Sequence, residues 1–300
     1  MSKYINPYTD FGFKKLFGEE GNKNLLVDFL NQMLPERHQI ATLNFQNVEA
    51  MPDTSDEPKA FFDIHCTSAS GERFIVEMQK AKIDYFKDRS VYYITYPIRE
   101  QAQRGEWNFK LDAIYFIAIL DFWYEDKETA IFHRNIVLKD QMNVQFYDKL
   151  QLIYLQMPAF NKTEEQLETK FDKWAYFLKN LEKFDEIPKI LNESVFEQAF
   201  DTAMYANFTR AQREVYDKSR LSYIGMKEAT KTAEKEGRAL GLAEGLAEGL
   251  AEGLAKGIEQ GEKRKEREAI LGLAAVGITA TQIAKALKLT VEEVNEALNK

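Results

Sequence analysis

The chain has 300 residues, 45% of them hydrophobic and 29% charged, the composition of a folded protein with material for one large domain or two. One cysteine, Cys66, and three histidines, His38, His65 and His133, exclude an internal disulfide and argue against a thiolate- or histidine-ligated metal centre. A carboxylate site for a hard cation stays open, and a net charge of −8 disfavours a protein that coats nucleic acid nonspecifically while allowing one local basic surface.

The opening residues lack the apolar stretch of a signal peptide. The longest uninterrupted apolar run, 113–120, is bounded by Asp112 and Asp121 and falls far short of the roughly 20 residues a membrane span needs. A cytoplasmic protein is the expectation.

Two helices are predicted first, over 10–17 and 24–34, with Phe13, Leu16, Phe17, Leu26, Phe29, Leu30 and Met33 facing inward. Strand-like runs follow at 43–48, 60–66 and 73–79. A helix rich in Tyr, Lys and Arg begins near Asp84 and is expected to break at Pro97. Further strands are predicted at 113–122, 131–138 and 152–157, and from Glu164 to about Glu236 the pattern is helical again. Mixed α and β elements over residues 1–235 make this an α/β domain with a helical second half.

The chain changes character near residue 236. From Gly237 to Gly261 a glycine falls at every fourth position, and the centre of that stretch repeats Gly-Leu-Ala-Glu. Leu, Ala and Glu favour helix, but each glycine costs about 1 kcal/mol relative to Ala. A period of four drifts by about 40° per repeat against the 3.6-residue turn, so the leucines spiral instead of holding one face. Residues 236–262 are therefore predicted to be a spacer, a marginal helix or tether that self-association could order.

Residues 263–300 read as a small helix-turn-helix-like unit. A helix over 266–275 is ended by Gly277, a second over 280–287 is capped by Thr279, and a third over 291–298 is capped by Thr290. The third helix would be the DNA-reading one, yet it carries Glu292, Glu293 and Glu296 and no arginine. Carboxylates there repel phosphates, which favours packing or oligomerisation over DNA reading.

The residues that could carry chemistry lie in the first half. In 62–66, Phe62, Ile64 and Cys66 alternate with Asp63 and His65; in 74–79, Phe74, Val76 and Met78 alternate with Ile75, Glu77 and Gln79. Ser68-Ala69-Ser70-Gly71 between them has a turn composition. A hairpin pivoting on Ser70 sets Asp63 across from Glu77, with their Cβ atoms about 4.5–5.5 Å apart. Like charges so placed destabilise a sheet unless something positive sits between them, and a divalent cation is the simplest candidate. Gln79 projects beside Glu77, and the Met78 carbonyl becomes available at the strand end. Two carboxylates, a carbonyl and waters suit Mg²⁺; the plainer alternative is a solvated face of an ordinary hairpin. His65 is expected to be a hydrogen-bonded sheet residue.

On the following helix Tyr85, Arg89, Tyr92 and Tyr96 are spaced to share a face, and Lys80, Lys82, Lys87, Arg99 and Arg104 lie in the same segment. Cations interleaved with tyrosines suit a phosphate backbone and stacked bases. A packed amphipathic helix whose Arg89 satisfies a local carboxylate accounts for the pattern equally well.

The stretch Pro7-Tyr8-Thr9-Asp10-Phe11-Gly12-Phe13-Lys14-Lys15-Leu16-Phe17-Gly18 resembles the start of the PD-(D/E)XK nuclease family transposases, also called recombination-promoting nucleases, the Rpn family. Asn24-Leu25-Leu26-Val27-Asp28-Phe29-Leu30-Asn31, then Asp63, then Glu77-Met78-Gln79, then Tyr85-Phe86 with Arg89-Ser90 and Tyr92-Tyr93 fall in the order that family shows. The resemblance covers about residues 4–235, and the glycine-periodic tail is similar to tails in the family.

The resemblance implies a restriction-endonuclease-like core, a mixed sheet flanked by helices with the acidic site at strand ends. It implies Mg²⁺-dependent hydrolysis of DNA phosphodiesters in recombination or mobile-element processes. By it Asp63 and Glu77 hold the metal, with the Met78 carbonyl, and Gln79 replaces the motif's lysine, a substitution usual in this family. Gln is neutral and cannot act as an ammonium, though it can position a water. Arg89, Lys80 and Tyr92 would contact DNA. The motif's Asp is preceded by Phe62 and not by proline; Pro52-Asp53 does match the "PD" letters, but lies in a loop-like run and is set aside. Asp10 either caps the first helix or reaches the metal cleft, as N-terminal helix acids do in some relatives of the fold.

Overall fold

The computed structural model describes residues 2–50, 60–102, 108–124 and 128–299. Pro52 and Asp53 lie outside them. The first helix, α1 (Asp10–Phe17), is capped by Thr9, whose hydroxyl accepts the Gly12 N–H at 2.9 Å. Asp10 is therefore not the cap. It sits one residue inside the helix, where it neighbours the unpaired N–H groups of the first turn and pairs with Lys14 at 3.0 Å. The second helix, α2 (Lys23–Asn31), stops short of the predicted residue 34 because Pro35 disfavours helical backbone in the residue before it; Met33 and Leu34 are buried all the same.

The strands are β1 (Leu43–Phe45), β2 (Glu49–Ala50), β3 (Ala60–Phe61), β4 (Ile64–Ser68), β5 (Arg73–Gln79), β6 (Ile114–Leu120), β7 (His133–Lys139) and β8 (Gln145–Gln156). Six form one sheet in the order β1-β4-β5-β6-β8-β7, and β2 pairs with β3 alone. β4 and β5 are an antiparallel hairpin in the register Thr67↔Arg73 to Ile64↔Val76, while β5, β6 and β8 run parallel. Every residue of β6 is buried, as a central parallel strand covered on both faces must be. β8 begins seven residues before its predicted start. Its first half pairs with the end of β7 across register shifts at 137–139 and has half of its side chains in solvent, whereas residues 152–156 are buried and, save Gln156, apolar.

Two layers cover the sheet. Phe74, Val76, Met78, Ile117, Ile119 and Ile153 face a core shared with α1, α2, α4 (Lys170–Asn180) and α5 (Ser194–Ala203), at whose centre Trp174, Phe177 and Phe196 are fully buried. Ile75, Phe116, Ala118, Leu120 and Tyr154 face the other way, onto α3 (Phe86–Arg99). The break expected at Pro97 is absent: the helix continues to Arg99. Pro97 sits in its last turn, where few hydrogen bonds remain to be lost.

The helix α6 runs from Arg210 to Ala275 without interruption, through the whole glycine repeat predicted to be marginal. The chain divides into two compact units, 1–230 and 231–300, with the boundary inside this helix. The second unit has its own small core, in which Ile270 meets Ile283 and Ala284 of α7 (Ala280–Leu287) and Val294 of α8 (Val291–Asn299). Gly277, at φ +85°, ends α6 in the left-handed conformation that glycine adopts without strain. Thr279 with Gln282, and Thr290 with Glu293, cap α7 and α8 reciprocally, so one of the three carboxylates of the last helix is occupied in capping. Among the described residues no helix is long and apolar enough to cross a membrane.

Candidate active site at the strand ends

β4 begins at Ile64, one residue after Asp63. Extending the hairpin register by one step sets Asp63 opposite Glu77. The chain bends at Phe62 and Asp63 instead of continuing as strand from residue 60. One consequence corrects the simple alternation: the Phe62 ring lies on the α3 side of the sheet, 5.1 Å from Tyr93 and 5.8 Å from Tyr96, while Ile64 and Cys66 face the opposite core. The second consequence is chemical. Where β4 stops, the Met78 N–H has lost its strand neighbour, and Asp63 Oδ2 accepts it at 2.8 Å. In return the Asp63 N–H donates to Glu77 Oε1 at 3.1 Å. N–H and C=O of one strand residue point to the same side, so the Met78 carbonyl shares this open side with Asp63.

The far oxygen of Glu77 accepts Gln79 Nε2 at 3.1 Å and lies 3.6 Å from Arg89 Nη2. Arg89 is aimed there by α3, which packs on the face that carries Glu77, and its guanidinium lies 4.8 Å from the centroid of the Tyr93 ring. Glu77 is only 2% exposed. Burial, followed by the charge of Asp63, pushes its carboxyl up to about 8, and the Asp63 N–H, Arg89 and Gln79 only partly offset this. Asp63 is also raised, first by burial and further by Asp10, against the pull of the Met78 N–H, Lys14 and Lys80. A buried acid and a half-buried one held together in this way lack one positive charge.

Asp63, Glu77, Gln79 and Met78 thus meet at one end of the sheet. Lys80 and Asp10 stand near enough for their charges to act on Asp63. Arg89 faces Glu77 inside the site, the arrangement in which it balances a local carboxylate. The tyrosines do not share a solvent face: Tyr85 is 81% exposed and precedes α3, whereas Tyr96 is buried. Tyr92 is half exposed, with its hydroxyl 2.8 Å from that of Tyr96. His65 is buried, its Nδ1 3.3 Å from the Asn47 carbonyl. Lys14 is the residue that sequence reasoning missed; its signal was the four-residue spacing from Asp10 within the opening motif.

Two paired carboxylates and a strand-end carbonyl are hard oxygen donors of the kind that Mg²⁺ and its relatives accept, in the small number that leaves room for waters. Among the described residues no group of three or more His, Cys, Asp or Glu side chains gathers for a metal, so the protein's share of such a site is this pair.

A mixed sheet with helices on both faces and an acidic pair where an antiparallel strand gives out is a restriction-endonuclease-like α/β arrangement. The family model described as PD-(D/E)XK nuclease family transposase matches residues 7–233, and the chain belongs to that family. No curated protein and no solved structure matches it.

Proposed function

We propose that the protein is a divalent-metal-dependent nuclease that hydrolyses DNA phosphodiester bonds, acting in the cytoplasm in recombination or mobile-element processes, with Mg²⁺ as its ion. The observation that carries this reading is the pairing of Asp63 with Glu77 in a buried setting that holds both carboxyls above their ordinary range, together with family membership. Asp63, Glu77 and the Met78 carbonyl would hold the cation. Once bound, such an ion supplies the charge that polarises a scissile phosphate and makes a water acidic enough to attack at neutral pH.

The chain's own groups do the rest. Glu77 would hold a cation in its ionised form, and Gln79, hydrogen-bonded to Glu77, would orient a water beside it. Arg89, 3.6 Å from Glu77 and partly exposed, would be placed to take a phosphate oxygen where a bound cation balanced the Glu77 carboxylate instead. Lys14 and Lys80, both within electrostatic reach of Asp63, make the rim of an otherwise acidic protein locally attractive to a polyanion, and Tyr92 offers a half-exposed ring for stacking.

The test is nicking of supercoiled plasmid with Mg²⁺ or Mn²⁺, for wild type and for Asp63→Ala. Wild type should cut only with the cation present, and Asp63→Ala should abolish cutting while keeping the fold, because it removes a carboxyl whose ionised form burial already disfavours. Cutting by Asp63→Ala at the wild-type rate would overturn the assignment. A second reading, a protein that binds DNA or oligomerises without cutting, is favoured by one observation, the neutral Gln79 engaged by Glu77 where a lysine is the motif's usual residue. DNA binding without cleavage at any divalent-cation concentration would establish it.

A further inference from the structure

On the opposite side of the sheet from α3, where β6 and β8 end, lies a cleft of about 340 Å³ that the proposed chemistry does not use. Tyr8 lines it. Its side chain is 93% buried, and among the described residues its hydroxyl has no hydrogen-bond partner, although a buried hydroxyl nearly always finds one. Lys179 and Lys183 line the same cleft, one turn apart in sequence. Burial, and then the charge of Lys183, lowers the pKa of Lys179, so two ammonium groups are crowded here. Lys179 donates to the Phe160 carbonyl and, at 3.5 Å, to that of Pro158, while Lys183 donates to Asn180 Oδ1 at 3.4 Å; each ammonium still has an N–H to offer.

The cleft also contains two carboxylates, and both are already engaged. Asp121 accepts the Tyr223 hydroxyl at 2.6 Å and pairs with Lys227 at 2.7 Å. Glu182 accepts Asn6 Nδ2 at 2.8 Å and Arg220 at 3.2 Å. What is left over is therefore donors: one buried hydroxyl and two cations. We propose that this cleft is a phosphate-binding subsite for the nucleic-acid substrate, in which Tyr8, Lys179 and Lys183 take the oxygens of a phosphate other than the one being cut.

Its position fits. The Asp121 N–H donates to the Gln79 carbonyl at 2.9 Å, so the cleft begins one strand over from the acidic pair, and both open at the carboxyl ends of parallel strands, where α/β sheets bind ligands. The proposal rests on the nuclease reading for the identity of the substrate, but not for the existence of the site.

Binding in EDTA separates the two, because it needs no metal and no turnover. The full-length protein is titrated with duplex oligonucleotides bearing either a 5′-phosphate or a 5′-hydroxyl, for wild type, Tyr8→Phe, Lys183→Gln and the double variant. Tyr8→Phe removes one oxygen and keeps the ring, and Lys183 is exposed, so both should melt as wild type does. Losing a hydrogen bond to a charged group should weaken binding about tenfold per variant. Equal weakening for both duplexes places an internal phosphodiester in the cleft; weakening confined to the phosphorylated duplex places a terminal phosphate there. Unchanged affinity for both, in variants that melt normally, overturns the proposal. Should wild type prove unable to cut DNA while these variants still bind it less tightly, the subsite stands and the nuclease reading falls.

Discussion

Glycine plays opposite parts in the two units. In the first, a Cβ placed on Gly12 would come within 2.2 Å of the Asn6 carbonyl oxygen and 2.7 Å of the Thr9 hydroxyl, because α1 starts hard against the loop that precedes it. In the second, a Cβ on any repeat glycine from Gly237 to Gly261 would meet nothing within 4 Å. The same residue type thus marks a close approach of backbone in one unit and bare solvent in the other. The nuclease-family unit is held by what its residues touch. The repeat helix touches little: Leu242, Leu246, Leu250 and Leu254 are each 64–75% exposed, and its order rests on local helix propensity and on ion pairs such as Lys263 with Glu259.

The sharpest way to break that contrast is at the core. Trp174 is fully buried and donates its Nε1–H to Asp28 at 2.7 Å. Trp174→Ala should destabilise the first unit by about 3–5 kcal/mol, read as a lower urea midpoint, whereas Leu246→Ala should leave the midpoint unmoved. An equal response from the two would mean that the repeat is packed against something.

The acidic pair gives the next largest effect, and its sign follows from linkage. Glu77 has a folded pKa of about 8 against an ordinary value of 4.5, so the folded state holds a proton that the unfolded chain releases. The stability tied to that proton is whole below about pH 4.5 and is lost as pH rises through about 8. In EDTA the melting temperature should fall across this window for wild type, and Glu77→Gln should flatten that part of the profile, a difference on the order of a few kcal/mol at its upper end. A cation that displaces the proton should bind about tenfold more tightly for each unit that pH rises toward 8, measured by calorimetry. A wild-type profile as flat as that of Glu77→Gln would show that the pair is not strained. Next in size, Gly12→Ala should destabilise by about 1–3 kcal/mol through overpacking.

Much of the first unit was legible because its signals are local. The period-two runs at 73–79 and the turn at Ser70 fixed which acid would face which, and the apolar stretch at 113–122 marked a strand, which the structure buries on both faces. The bend at Phe62 was not legible, since an aromatic ring that crosses to the far face leaves the letter pattern unchanged. Neither was the direction of Arg89, which depends on which face of the sheet α3 covers, nor the early start of β8, whose first half is too polar to resemble a strand. Lys14 pairs with Asp10 four residues before it, but its bearing on the site was unread because Asp63, on which its charge acts, is some fifty positions along the chain. In the tail the letters left the choice between marginal helix and tether to energetics. Seven glycines counted against helix, but the leucines, alanines, glutamates and flanking charged residues lie in the same continuous helix, and a helix already nucleated at both ends propagates at little further cost.

That reading of the tail carries the smallest prediction and the one that decides whether the helix stands alone. Replacing Gly245, Gly249 and Gly253 by alanine removes the entropic penalty of glycine and adds Cβ atoms into open space, so each change should stabilise the helix by about 1 kcal/mol. Circular dichroism of the full chain should show a helical signal that persists to higher temperature. If instead the glycines admit a second copy of the repeat to close approach, the same methyl groups would stand in the way. The triple variant would then lose helical signal, and its apparent mass in size-exclusion would fall towards that of a monomer. The two outcomes differ in sign, so a modest measurement suffices, and a self-associating tail is the one case in which a better helix former makes a worse helix.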